Sequence, residues 1–187
     1  MIEKTKGYIT KRNIYRDTSL LLTIYSYDYG KIEGIAKGAR KIDDYGRYDG
    51  ILDLFSEHEV VFYPRRQRLA LFVQFYQLDS FWEHIRDYEK FIKISTAMEL
   101  LNYIVQPYEQ NRQIYNLLEF FLKEIAADKA DIIFCAFVIK LLKFSGFSPQ
   151  IDECFKCKSK IDYRGSFSVS EGSLFCLKCA GGKPGLI

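Results

Sequence analysis

Over the first 80 residues, apolar and polar positions alternate with the two-residue period of half-buried β-strands. Five segments carry the pattern: Lys6–Tyr15, Ser19–Ser26, Lys31–Ala36, Glu57–Tyr63 and Leu69–Leu78. They are rich in the β-branched and aromatic residues that suit a pleated surface. Asp28-Tyr-Gly30 and Pro64-Arg-Arg-Gln-Arg68 are turns, and residues 37 to about 50 form a polar loop. Five short strands with a long connection after the third predict a small Greek-key barrel of OB type, with an SH3-like barrel as the competing fold.

From Asp79 the period becomes helical. Asp79 or Ser80 is placed to cap a helix starting at Phe81, and Phe81, Ile85, Tyr88, Ile92, Ala97, Leu100, Leu101 and Ile104 fall near one face. Pro107 ends it. A second helix is expected from about Gln110 to Ala126, with a stripe of Ile114, Leu117, Leu118, Phe121, Leu122 and Ile125. The third, about Lys129 to Ser145, is apolar nearly all round, which predicts the buried centre of a bundle. Gly146 and Pro149 mark its end. Cys135, in an apolar run, reads as core packing.

The last part brings in metal chemistry. Cys154, Cys157, Cys176 and Cys179 form a C-x2-C-x18-C-x2-C pattern. Two thiolates three positions apart hold one edge of a tetrahedral Zn²⁺, and a second such turn closes the other edge. Between them, Lys160–Tyr163 and Phe167–Val169 have strand character, and Glu171-Gly172 turns back toward Leu174 and Phe175. This is a zinc-ribbon signature with a structural Zn²⁺. Two disulfides are the competing reading; the spacing, and a start without an apolar signal-peptide stretch, favour zinc in a reducing cytoplasm. The expected fold class is therefore α+β and multidomain: an OB-type β-barrel over residues 1–80, a helical domain over 81–150, and a four-Cys zinc ribbon over 151–187.

Charge is unevenly distributed. Residues 1–80 carry +2, residues 81–153 carry −3 and residues 154–187 carry +4 before any metal, for a formal total of +3. Four thiolates plus Zn²⁺ carry −2 and bring the chain to about +1, so distribution rather than net charge argues for nucleic acid. Lys11, Arg12 and Arg16 flank the first turn, Lys37, Arg40, Lys41 and Arg47 leave the third strand, and Arg65, Arg66 and Arg68 join strands four and five. Loops at these places border the binding face of an OB barrel, where cations grip phosphates and Gly38 lets backbone come close. Tyr8, Tyr15, Tyr25, Tyr63 and Phe72 are candidates to stack on bases.

No nucleotide-binding loop, nucleophile elbow or metalloprotease motif is present. His58 and His84 read as solvated surface histidines, and Asp43, Asp44, Asp49 and Asp53 as solvated or as countercharge to the basic loop. The expectation is not an enzyme. The rival function is a non-catalytic zinc-ribbon protein-interaction subunit whose barrel is a scaffold without direct nucleic-acid binding. An RNA-binding translation or tRNA factor is a further rival.

The order of parts, a basic barrel, a helical bundle and a four-Cys ribbon, resembles the bacterial RecO family of DNA repair and recombination proteins. Asp17–Thr23 looks like the family's second-strand segment, Gly30–Lys41 like its glycine-and-basic segment, and Phe144–Pro149 followed by Cys154 like the approach to its metal site. Lys158 stands where family members often have glycine. The resemblance implies a recombination mediator that binds single- and double-stranded DNA and anneals complementary strands. It implies help in loading RecA onto strands coated by single-strand-binding protein. The implied partners are RecR, in some bacteria RecF, RecA, and the acidic C-terminal tail of the single-strand-binding protein. The implied location is the cytoplasm, at the nucleoid. A basic-rimmed apolar groove in the helical region would suit the tail, with Arg86, Lys90, Arg112 and Lys143 as candidates.

Overall fold

The structure, a computed structural model, describes residues 1–40, 52–65, 69–81, 87–127, 129–147, 151–161, 164–181 and 185–186. Its strands β1 (Glu3–Tyr15), β2 (Ser19–Ser26), β3 (Gly30–Ala36), β4 (Glu57–Tyr63) and β5 (Ala70–Asp79) close into a barrel in the order β1-β2-β3-β5-β4. β3 and β5 pair in parallel, and β1 closes on β4. That order is consistent with the OB-type domain and not with the SH3-like alternative. One face of each strand fills the barrel: Ile9, Leu22, Ile24, Ile32, Val60, Phe62, Phe72 and Phe75 lie in a single buried cluster.

A bulge interrupts the pairing of β1 with β2. Ile9 faces Ile24, but Lys11 faces Thr23, so Thr10 is the extra residue. Its hydroxyl lies 3.2 Å from the Thr23 carbonyl and 2.9 Å from Asn102 Oδ1, and the Asn102 amide donates back to the Thr10 carbonyl. Asn102 belongs to helix α1 (Tyr88–Ile104). The side of β1 away from the barrel core thus meets a helix.

Two further contacts hold α1 against the barrel. Lys31 Nζ donates to the Asn102 carbonyl at 2.7 Å, near the negative end of the helix. Burial lowers the Lys31 pKa, opposed by the nearby Glu33 carboxylate. Beyond the helix, Pro107 bridges to Lys31 and the Tyr108 amide donates to the Lys31 carbonyl. Helix α2 (Arg112–Glu124) is capped by Asn111, whose side chain accepts from Gln113 and Ile114 amides. Its Tyr115 hydroxyl donates to Glu57 at 2.6 Å, and its ring packs 5.4 Å from that of Tyr8.

Several expectations need correction. The first helix is capped by Asp87, which accepts from the Glu89 amide, while Asp79 ends β5. Ile94, Ala97, Met98 and Leu101 form its buried face, and Tyr88 and Ile92 are exposed. Helix α3 (Ala130–Phe144) is not the bundle's buried centre: Phe137 and Leu141 are buried, whereas Ile132, Cys135 and Ile139 are exposed. Phe137 stacks 4.4 Å from Phe121 of α2, so α3 is covered on that side. Its apolar periodicity does not say how many neighbours it has. Cys135 is accordingly a surface thiol. His58 is fully buried rather than solvated. Ser56 donates its one hydroxyl hydrogen to the Asp53 carbonyl, so the 2.8 Å contact between Ser56 and His58 requires His58 Nε2 to carry the proton. His84, Asp43, Asp44 and Asp49 lie outside the described residues.

The chain divides into two compact units, Met1–Leu141 and Leu142–Ile187. The second carries a small sheet of β6 (Gly165–Ser168), β7 (Ser173–Cys176) and β8 (Gly185–Leu186), with β6 between the other two. The hairpin therefore forms a few residues later than the pattern suggested, around the turn at Gly172, whose φ is +57°. Among the described residues, no helix is long and apolar enough to cross a membrane.

Gly30 has φ +65°, and a Cβ there would lie 1.9 Å from the Glu109 carbonyl oxygen. Gly38 has φ +75° but open space around it. Gly30→Ala should therefore destabilise the fold by at least about 2 kcal/mol, from backbone strain plus displaced chain, and Gly38→Ala by about 1 kcal/mol from strain alone. Denaturant midpoints measure both; equal losses would contradict this account.

Candidate nucleic-acid interface and metal centre

The basic residues expected in the barrel loops do not all meet. At one end of the barrel, Arg16 and Lys37 line a depression of about 510 Å³ with Tyr15, Asp17, Thr18 and Gly38. Arg16 has φ +56°, and its guanidinium sits 5.4 Å from the Tyr15 ring centre. Arg40 joins the same place: its amide donates to the Thr18 carbonyl and its guanidinium to the Asp17 carbonyl. The chain leaving β3 is thus fastened to the β1–β2 turn, and Arg40 stands beside the concave surface that Arg16 and Lys37 line. Arg65 is exposed beyond β4. Lys41, Arg47, Arg66 and Arg68 lie outside the described residues. Lys11 and Arg12 line a second cleft, between β1 and α1.

The proposed stacking aromatics fare unevenly. Tyr8, Tyr25 and Phe72 are fully buried. Phe72 belongs to the barrel core, Tyr8 packs between Phe81 and Tyr115, and Tyr25 donates to the Asn111 carbonyl. Burial raises the pKa of both tyrosines, so each stays a neutral phenol. Tyr63 is exposed and Tyr15 half-buried, so these two remain accessible. Sequence reasoning missed Tyr103, an exposed aromatic on the polar side of α1; its position off the apolar stripe was the signal.

The helical candidates are also partly engaged. Lys90 Nζ donates to the Ala126 carbonyl, and the Arg112 guanidinium lies 4.7 Å from the Tyr27 ring centre. Lys143 is exposed in the last turn of α3, and Arg86 lies outside the described residues. Between α2 and α3 an apolar groove of about 100 Å³ is lined by Phe120, Phe121, Ile132, Ala136, Phe137 and Lys140.

In the second unit, two tight turns bring Cys154, Cys157, Cys176 and Cys179 together. The Cys154 amide donates to the Ser159 carbonyl and the Lys158 amide to the Cys154 carbonyl, folding Cys154–Ser159 into a loop. Lys158 takes a left-handed conformation, φ +59°, which accounts for the glycine often found at that place in the resembling family. The Ala180 amide donates to the Cys176 carbonyl, and Gly181 follows at φ +72°. The Phe155 amide donates to the Leu174 carbonyl and ties the first loop to the second.

All four sulfurs lie within 4.8 Å of one another, and Cys157 and Cys176 are 3.7 Å apart. A tetrahedral ion with metal–sulfur bonds of about 2.3 Å requires sulfur–sulfur edges of roughly 3.8 Å, so the site can hold a metal ion. Electrostatics point the same way. Burial resists ionisation of Cys154, but the amides of Cys157, Cys176 and Lys156 outweigh it and bring the thiol down to about 6. The Ser159 hydroxyl and amide lower Cys157. The neighbouring sulfurs of Cys176 and Cys157 push Cys179 up to about 12. Protein groups alone stabilise part of the negative charge; a divalent cation removes the remaining repulsion. With four thiolates bound, no coordination position is left for water or substrate.

Comparison with known proteins agrees with this arrangement. Residues 1–81 match the family described as "Recombination protein O N terminal" and residues 85–186 the family "Recombination protein O C terminal". The chain is 29% identical over 181 residues to the DNA repair protein RecO of Syntrophus aciditrophicus, covering 94% of this chain and 69% of that one. It is 28% identical to the same-named protein of Alkaliphilus metalliredigens, covering 97% and 73%, and 30% identical to that of Desulforamulus reducens, covering 96% and 69%.

Cys176→Ser should abolish stoichiometric metal retention and lower thermal stability, because a structural site of this kind contributes on the order of 10 kcal/mol to its own unit. Elemental analysis and a melting curve check it. Unchanged metal content would mean that the cluster is not a metal centre.

Proposed function

The chain belongs to the RecO family of DNA repair proteins, and on that premise we propose that it is a non-catalytic, DNA-binding recombination mediator. The carrying observation is the depression at the barrel end where Arg16 and Lys37 stand beside the anchored Arg40. Cations from two separate loops on one concave surface suit the phosphate backbone, which has a regular charge and no sequence. Binding there is expected to be indifferent to sequence. Single- and double-stranded DNA both present the same backbone, and two strands held near one basic surface repel each other less while base pairing forms. That would favour annealing of complementary strands. Helping RecA onto strands coated by single-strand-binding protein would require the same grip together with contacts to proteins.

We propose a division of labour along the chain: residues 1–80 hold DNA, residues 81–150 carry partner surface, and residues 151–187 form a ribbon held by zinc. Zinc is the ion of choice for four cysteine thiolates in tetrahedral array, and its role is structural. The α2–α3 groove, apolar with Lys140 at its edge, fits the acidic and hydrophobic tail of the single-strand-binding protein. RecR, and RecF where present, are the other proposed partners. The same groove is the observation that favours the rival reading, a protein-interaction subunit with a scaffold barrel.

The test is fluorescence anisotropy of labelled DNA across a salt series. Phosphate-dominated binding makes log affinity fall linearly with log salt, by about 0.9 for each phosphate neutralised. The triple variant Arg16→Ala, Lys37→Ala, Arg40→Ala should weaken binding to every sequence alike and flatten the slope by about one unit per lost contact. Unchanged affinity and slope in that variant would sink the barrel-end interface. No binding by the wild-type chain even at low salt would favour the scaffold reading.

A further inference from the structure

We propose that the cleft between β1 and α1 takes one unstacked nucleotide of a DNA strand, with Tyr103 as the platform for its base. This rests on the DNA-binding reading above and adds to it a preference for single strands. The cleft has a volume of about 500 Å³, within the range of roughly 300–1,000 Å³ typical of small-ligand sites. Its two walls differ in chemistry. One wall is β1, with the exposed cations Lys11 and Arg12. Among the described residues, neither cation has a carboxylate partner. The other wall is one face of α1, where Ser95, Glu99, Asn102 and Tyr103 recur at helical spacing. Leu54 contributes an apolar surface.

The bulge at Thr10 builds this place. An extra residue in β1 directs the Thr10 hydroxyl at Asn102, so strand and helix are joined at the cleft itself. The Tyr103 ring is 87% exposed and lies near the end of a helix whose own packing it does not support. An aromatic ring so exposed, beside two unneutralised cations and a row of polar groups, has the composition of a single-strand site: cations for phosphate, a ring for the base, hydrogen-bonding groups for its edge. Glu99 disfavours a phosphate on the helix side and leaves that side to the base, where it can accept from a base N–H such as the thymine imide. A duplex keeps its bases stacked inside and cannot offer one to the ring, which is the source of the preference.

The experiment uses the full chain, a labelled oligothymidylate and an abasic strand of equal length. Tyr103→Ala should weaken oligothymidylate binding about tenfold, the size of one lost base–aromatic stack, with the salt slope unchanged. Tyr103→Phe, which keeps the ring, should bind within about twofold of wild type on the same stacking argument. The abasic strand should show no difference between Tyr103→Ala and wild type, because it has no base to stack. Oligothymidylate affinity unaffected by Tyr103→Ala overturns the proposal, as does an equal loss for Tyr103→Phe or an equal loss on the abasic strand. If the barrel-end triple variant loses affinity while Tyr103→Ala does not, the cleft fails and the DNA-binding reading survives. If wild type binds neither strand, both fall.

Discussion

β1 pairs with β4 over Glu3–Tyr8 and with β2 over Gly7–Tyr15, so a single strand of 13 residues closes the barrel by serving two neighbours in turn. The handover falls at Gly7 and Tyr8, which lie in both ladders. A Cβ on Gly7 would come within 2.6 Å of the Ile24 side chain and 2.9 Å of the Tyr25 carbonyl, so β2 can approach this closely because the residue has none. The remaining architecture is built around this shared strand. Once β1 leaves β4, its second half is free on one side, and the Thr10 bulge turns that side toward α1. A barrel without an open edge, a helix seated against one strand and a cleft between them are consequences of one strand having two partners.

The same economy places the cations. Closing the barrel gathers the β1–β2 turn and the end of β3 at one rim. Arg40 then joins them by donating to two carbonyls of that turn. Its guanidinium has both a structural and a charged role, so its charge at this rim is held in position. In contrast, Lys4 and Lys6 pair with Glu59 and Glu57 across the β1–β4 ladder, and their charge is neutralised locally. A basic residue in a barrel loop and one on a barrel wall are therefore not equivalent, although both count equally in the net charge.

The four-cysteine unit is ordered by a different device. It has few buried apolar residues, and its order comes from the two cysteine turns and the small sheet between them. Cys154 and Cys157 are favoured as thiolates by nearby amides and a hydroxyl, while Cys179 is held protonated by its neighbours' sulfurs. A metal ion held by the four sulfurs would resolve that conflict by replacing the last protons with one cation.

Much of this was legible in the residues themselves. β2 and β4 have the bounds that alternation predicts, because each has a core face and the period-2 signal is strong. The four cysteines were legible because the chelate geometry is local: two residues between ligands suffice to define a turn. What depends on how many neighbours an element acquires was not. The apolar stretch of α3 says that the helix can be buried, not that it is, and Cys135 stays at the surface for that reason. His58 looked solvated among glutamates, yet β4 turns it inward onto Ser56. Tyr8 and Tyr25 looked available to bases, yet both are buried beside the helical segment. Local pattern determined most of the elements and the four cysteines of the candidate metal centre, since these depend on neighbours within a few residues. Only the tertiary structure decided between the two barrel types, which cations share a surface, which aromatics stay exposed and where a cleft opens, because those depend on the long-range strand pairing and the β1 bulge, and no periodicity in the sequence records them.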